Sequence, residues 1–179
     1  RNDHDCLDCH SSARTQSVPG GMIKSRFIDE KGLLRSNIVT HRTPIKDRWG
    51  SWYVTGNSSQ NPHLGNLSIG SQLTGNNTIT DLTTFFNTKP YISSSSDIVA
   101  LMVMEHQIHM NNLITRAAFR SRIILHKEKV NEAQVDNIPN SALENIQTHI
   151  DPLVDYMLFI DEAKIDGPII GNTQFREKF

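Results

Sequence analysis

Cys6 and Cys9 stand two residues apart, and His10 follows at once. Two thiols and an imidazole at this spacing serve three chemistries: a redox dithiol, half of a zinc site, or covalent attachment of a porphyrin. A zinc site needs a second Cys or His pair at similar spacing, and the chain has only these two cysteines. A thioredoxin-like dithiol opens a helix after a buried strand, whereas only five polar or charged residues precede Cys6. A disulfide between residues three apart closes too short a loop to fix much. The remaining chemistry uses all three side chains. Cys-x-x-Cys-His is the attachment pattern for c-type haem, in which each thiol adds across one vinyl group. The histidine then lies beneath the iron as its proximal ligand. The expectation is one haem c per chain, bound through Cys6 and Cys9, with His10 on the iron.

Composition sets bounds on what must position this group. A length of 179 residues suits one domain. Hydrophobic residues make up 37% and the mean hydropathy is −0.41, so the core is modest and a buried haem would help to complete it. A net charge of −1 and a pI near 6.8 argue against nucleic acid as a partner. No apolar stretch approaches the roughly 20 residues that span a bilayer. Haem c is attached in the bacterial periplasm, so an export signal outside these residues is expected.

The first part of the chain reads as a haem-attachment loop and an extended section over 1–75. Pro19-Gly20-Gly21 is a strong breaker, and Asp29 to Gly32 reads as the turn of a hairpin between Met22–Ile28 and Leu33–Thr40. Asp47 to Gly56 holds both tryptophans, and its β-branched and aromatic residues predict an extended segment. Residues 57–77 form a long loop rich in Asn, Gly and Ser, and a short helix is expected over Asp81–Asn87.

A helical section follows over 78–165. Ser94 with Asp97 reads as a capping box for a helix from about Ser96 to Lys127. Pro139, Ser141 and Glu144 begin the next helix. Asp151-Pro152 either kinks that helix or starts a new one, whose apolar stripe is Leu153, Met157 and Ile160. The fold expected is mainly α with a small β-hairpin or extended section, the haem packed between the N-terminal loop and the long helices.

The other side of the iron is open to several residues. His106 and Met110 are four apart on the long helix and share a face with Val99, Val103, Leu113 and Ala117. His106 is the first choice for the distal ligand, with Met110 and His41 as alternatives; a core histidine bonded to a carbonyl is the competing reading. His63, His126 and His149 read as surface residues. Trp49 and Trp52 are candidate walls of the haem pocket, or else anchors of the core. Arg14 is a candidate partner for the haem propionates, with Arg42 and Arg48 behind it.

Residues 6–10 resemble the haem site of c-type cytochromes. The rest is unlike the class I proteins, with their distal Met in a chain of about a hundred residues, and unlike cytochromes c′, with a motif near the C-terminus of a four-helix bundle. The stretches Ser11–Gly20, Arg48–Gly56 and Glu105–Arg116 are similar to a group of exported bacterial monohaem c proteins. That resemblance implies a periplasmic haem protein whose natural chain extends beyond Phe179, and it implies no particular activity. The function expected is electron transfer to and from redox partner proteins. The alternative is a gas sensor or peroxidase-like enzyme with an open distal site, where Glu105 and His106 would act as acid and base.

Overall fold

The computed structural model describes residues 4–29, 31–66, 78–130 and 137–178; most of the Asn-rich loop, residues 67–77, lies outside them. Two long helices and a two-stranded antiparallel hairpin dominate the architecture. In chain order the elements are α1 (His4–His10), β1 (Lys24–Ile28), β2 (Leu34–Ile38), α2 (Ile98–Lys127), α3 (Asn140–Met157) and α4 (Phe175–Lys178). Among the described residues no helix is long and apolar enough to cross a membrane. Two compact units are present. One, the motif unit, joins Arg1–Met22 to Gln107–Ile160; the other, the tryptophan unit, joins Ile23–His106 to Asp161–Phe179.

In the tryptophan unit the hairpin pairs Lys24 with Ile38 and Ile28 with Leu34. Asp29 builds its turn: one carboxylate oxygen accepts from the N–H groups of Lys31 and Leu33, and the other accepts from Arg35 Nε at 2.6 Å. Those bonds, the Leu33 N–H first, hold the Asp29 carboxyl below its ordinary pKa.

The segment around the tryptophans is a tight hook and not the extended run its residue types predict. A 3-10 turn over Ile45–Asp47 leads into Trp49 (φ 63°) and Ser51 (φ 67°), both left-handed. The cause is docking onto β1. Gly50 N–H donates to Ser25 Oγ at 2.9 Å, Arg26 N–H donates to Gly50 O at 2.9 Å, and a Cβ on Gly50 would overlap the Arg26 carbonyl. A bulky residue with positive φ is strained, by about 1–3 kcal/mol. Burial of the indole offsets this cost: Trp49 is 0% exposed and centres the cluster of Ile45, Val54, Ile98 and Leu101.

Residues 81–87 make turns instead of a helix, because Asp81 accepts from the hydroxyls of Thr83 and Ser94 and draws this segment towards the serine run. Ser94 is thereby committed elsewhere, and Asp97 is the real cap of α2. Its Oδ1 accepts from Val99 N at 2.8 Å and Ala100 N at 3.2 Å, and its Oδ2 from the Thr173 N–H and hydroxyl at 2.9 and 2.8 Å. Burial works against the Asp97 charge, but these donors outweigh it and keep its pKa low.

In the motif unit α3 runs through Pro152 without ending. Its buried residues are Ala142 and Tyr156, not the stripe expected from Leu153, Met157 and Ile160: Met157 is exposed, and Ile160 lies past the helix end, exposed as well.

Candidate haem-attachment site

Helix α1 places Cys6 and Cys9 one turn apart, the first exposed and the second partly so, both as free thiols. The chain then doubles back. Ser12 caps the 3-10 turn Ala13–Thr15, and its hydroxyl also donates to Cys9 O at 3.1 Å. Thr15 is fully buried and donates to Val18 O at 2.7 Å. Left-handed Gln16 and Ser17 complete the reversal and return Gly20 to the motif.

There the contact is double. Gly20 N–H donates to His10 O at 2.9 Å, and His10 Nδ1 lies 2.9 Å from Gly20 O. A carbonyl oxygen only accepts, so Nδ1 carries the hydrogen, and in the neutral ring Nε2 keeps its lone pair. His10 itself is exposed. The ring is thus oriented through Nδ1.

One face of α2 grips the returning loop. Ile108, Asn112 and Arg116 follow one another at four-residue spacing. Ile108 lies against Gly21, where a Cβ would come within 3.1 Å of its methyl group. Asn112, 3% exposed, accepts from Gly21 N–H at 3.1 Å and donates to Gly21 O at 2.7 Å. Arg116 donates to Gln16 Oε1 at 2.9 Å. A Cβ on Gly20 would overlap the Asn112 side-chain oxygen, which is why two glycines stand here. Sequence reasoning read Gly20-Gly21 only as a breaker and passed over Asn112. A glycine pair close after the motif and an amide in the middle of a largely apolar helix were the available signals.

The other sequence-named residues are distributed over both units. Arg14, exposed, and Met110, partly buried, belong to the motif unit. His41, Trp49, Trp52 and His106 belong to the tryptophan unit. Trp49 has the placement of a core anchor, and Trp52 packs beside that core with Nε1 donating to Lys24 O at 2.8 Å. Arg42 makes an exposed ion pair with Asp161 at 3.0 Å.

Arg48 is buried and bonded at each of its three nitrogens. It donates to Thr43 O at 2.8 Å and His41 O at 3.3 Å, and pairs with Glu105 at 3.2 Å, both side chains nearly enclosed. Burial pushes the Glu105 carboxyl up to about 7, although Arg48 and the neighbouring Trp49 N–H act to lower it. The indole N–H stops short of hydrogen-bond geometry, so Trp49 Nε1 and Glu105 Oε1 are both buried without a partner. His63, expected at the surface, is instead buried edge-on against Trp49, ring centroids 5.2 Å apart, and burial lowers its pKa. His149 is half-buried, its pKa lowered by burial and then by Arg116 and Arg120.

Among the described residues no three His, Cys, Asp or Glu side chains gather to hold a metal ion. No protein-family model, curated protein or solved structure matches the chain.

Proposed function

We propose that this chain is a periplasmic monohaem c-type cytochrome whose work is electron transfer. The observation that carries the reading is the His10 ring, anchored at Nδ1 by Gly20 O at 2.9 Å and directly following two free thiols one helical turn apart. The residues fit the group. The thiols and the imidazole need not converge on one point, because the sulfurs would bond to the porphyrin edge and only Nε2 would reach the iron. A haem bound here supplies a one-electron couple at iron, tuned by its axial ligands. Cys6 and Cys9 would hold the group through one thioether each, the thiol hydrogen going to the other vinyl carbon. The Gly20 carbonyl keeps the His10 ring from rotating and would make Nε2 a more electron-rich donor to iron. The exposed Arg14 is the arginine of this unit nearest the motif in sequence and is assigned to the propionates. His106, then Met110 and His41, are the candidates to test for the second iron ligand. Redox partner proteins meet the haem edge through a small, transient interface.

The test is expression with export and a haem c maturation system. The wild-type chain gains the mass of one haem and a low-spin spectrum; the double variant Cys6→Ala/Cys9→Ala gains none, and His10→Ala loses the low-spin spectrum. A wild-type chain that comes out of such cells without covalent haem overturns the reading. Rapid carbon monoxide binding to the reduced protein would replace electron transfer by an open-site sensor or enzyme. His106→Ala, Met110→Ala and His41→Ala identify the second ligand by which one changes the oxidised spectrum.

A further inference from the structure

We infer that Asn112 is a positioning residue for the axial histidine, acting on His10 through a single peptide plane. The inference rests on the haem reading above. The Gly20 carbonyl and the Gly21 N–H belong to the same peptide group, which is planar and trans, so its two ends point in opposite directions. One end accepts the His10 Nδ1 hydrogen at 2.9 Å, and the other donates to Asn112 Oδ1 at 3.1 Å. Rotating that plane by any appreciable angle breaks both bonds. Asn112 Nδ2 donates in turn to Gly21 O at 2.7 Å, which fixes the next peptide and stops the amide from turning.

The side chain that grips the plane is itself immobile. Asn112 is 3% exposed and sits near the middle of the 30-residue helix α2. The absence of a Cβ at Gly20 is what admits its amide. A hydrogen bond accepted from the Gly21 N–H also polarises the peptide and makes the Gly20 oxygen a better acceptor, since bonds in a chain reinforce one another. A stronger Nδ1–H···O bond makes His10 a more electron-rich ligand, which favours the oxidised iron. Asn112 therefore holds the reduction potential down as well as the ring in place.

The experiment compares Asn112→Leu, Asn112→Asp and Arg116→Ala with the wild type. It reads the reduction potential of the haem-loaded protein, and the solvent exchange of the His10 Nδ1–H by 15N NMR in the haem-loaded and haem-free chains. Asn112→Leu removes both amide bonds at similar volume. It is expected to raise the potential and to speed Nδ1–H exchange about fivefold or more, the effect of one lost net hydrogen bond. Asn112→Asp keeps the acceptor for Gly21 N–H and is expected to retain slow exchange, which preserves the test should the Leu variant fail to fold. Arg116→Ala loses a loop contact from the same helix face but leaves the 20–21 plane untouched, and both readouts should stay at wild-type values.

Unchanged potential and exchange in a folded Asn112→Leu protein overturn the inference. Fast exchange in Asn112→Asp, or equal effects from Arg116→Ala, overturn it as well by reducing Asn112 to general support of the loop. Failure of the haem reading looks different: the wild type carries no haem, while the exchange contrast among haem-free variants persists.

Discussion

The core around Trp49 in one unit and the loop after Cys6–His10 in the other are ordered by different forces. In the tryptophan unit Trp49 and Ile98 are almost wholly enclosed, and Val54 and Leu101 close around them. Around Cys6–His10, order comes from directional bonds: Ser12 and Thr15 fold the loop, Arg116 holds Gln16, and Asn112 holds Gly21. The motif unit meanwhile leaves Ile114, Phe119, Ile123, Leu158 and Phe159 in solvent. Burial of apolar surface is strong but non-directional; a hydrogen bond is weak in net terms but fixes an angle. A stable scaffold can rest on the first. The direction and tautomer of one imidazole require the second.

That contrast can be broken most forcefully at the tryptophan core. Trp49→Ala should cost about 3–5 kcal/mol of stability, and Arg48→Leu a comparable amount at pH 8, because it strands a buried carboxylate. Chemical denaturation measures both, and a loss under about 1 kcal/mol for Trp49→Ala would remove the core from its assigned role. The Arg48→Leu cost should shrink at pH 5, where Glu105 holds a proton.

The same carboxyl gives a pH dependence with a definite sign. Its pKa is raised from 4.5 to about 7 in the folded protein. The folded state then binds a proton that the unfolded state has released, so this contribution is full below about 4.5 and is lost as the pH rises through 7. The loss is on the order of 3 kcal/mol. The difference in stability between wild type and Glu105→Gln, followed from pH 4 to 8, should show that slope; a flat difference would refute it.

Smaller effects sharpen the comparison. Asp97→Ala removes the cap of α2 and should cost about 1–2 kcal/mol in thermal or denaturant unfolding. Leu158→Ser, at an exposed site of the motif unit, should change stability by no more than about 0.5 kcal/mol. A large loss there would show that these apolar side chains are covered in solution.

The hairpin was legible because Asp29 and Gly32 carry their turn chemistry locally, and α2 and α3 were legible from length and periodicity. The hook at Trp49 was not. Its residues favour extension, and bonds to the Ser25 hydroxyl and the Arg26 backbone, some 25 positions earlier, bend it. The α2 cap was misplaced by three residues for a similar reason. Ser94 and Asp97 are both good caps, and the choice fell to Asp81 and Thr173, which lie far off in sequence. His63 read as a surface residue because nothing nearby in the chain announces the Trp49 ring that covers it.

For the site, the sequence by itself determined the chemistry: two thiols and an imidazole at contiguous positions, whose reactivity and spacing are local properties of the chain. Which ring nitrogen of His10 is free, and what holds it so, was decided only by the tertiary structure. The Gly20 carbonyl lies ten residues away and Asn112 about a hundred, and no local rule relates them. A short sequence motif needs only neighbours in the chain, whereas a hydrogen-bonded orientation needs partners that folding alone brings within about 3 Å.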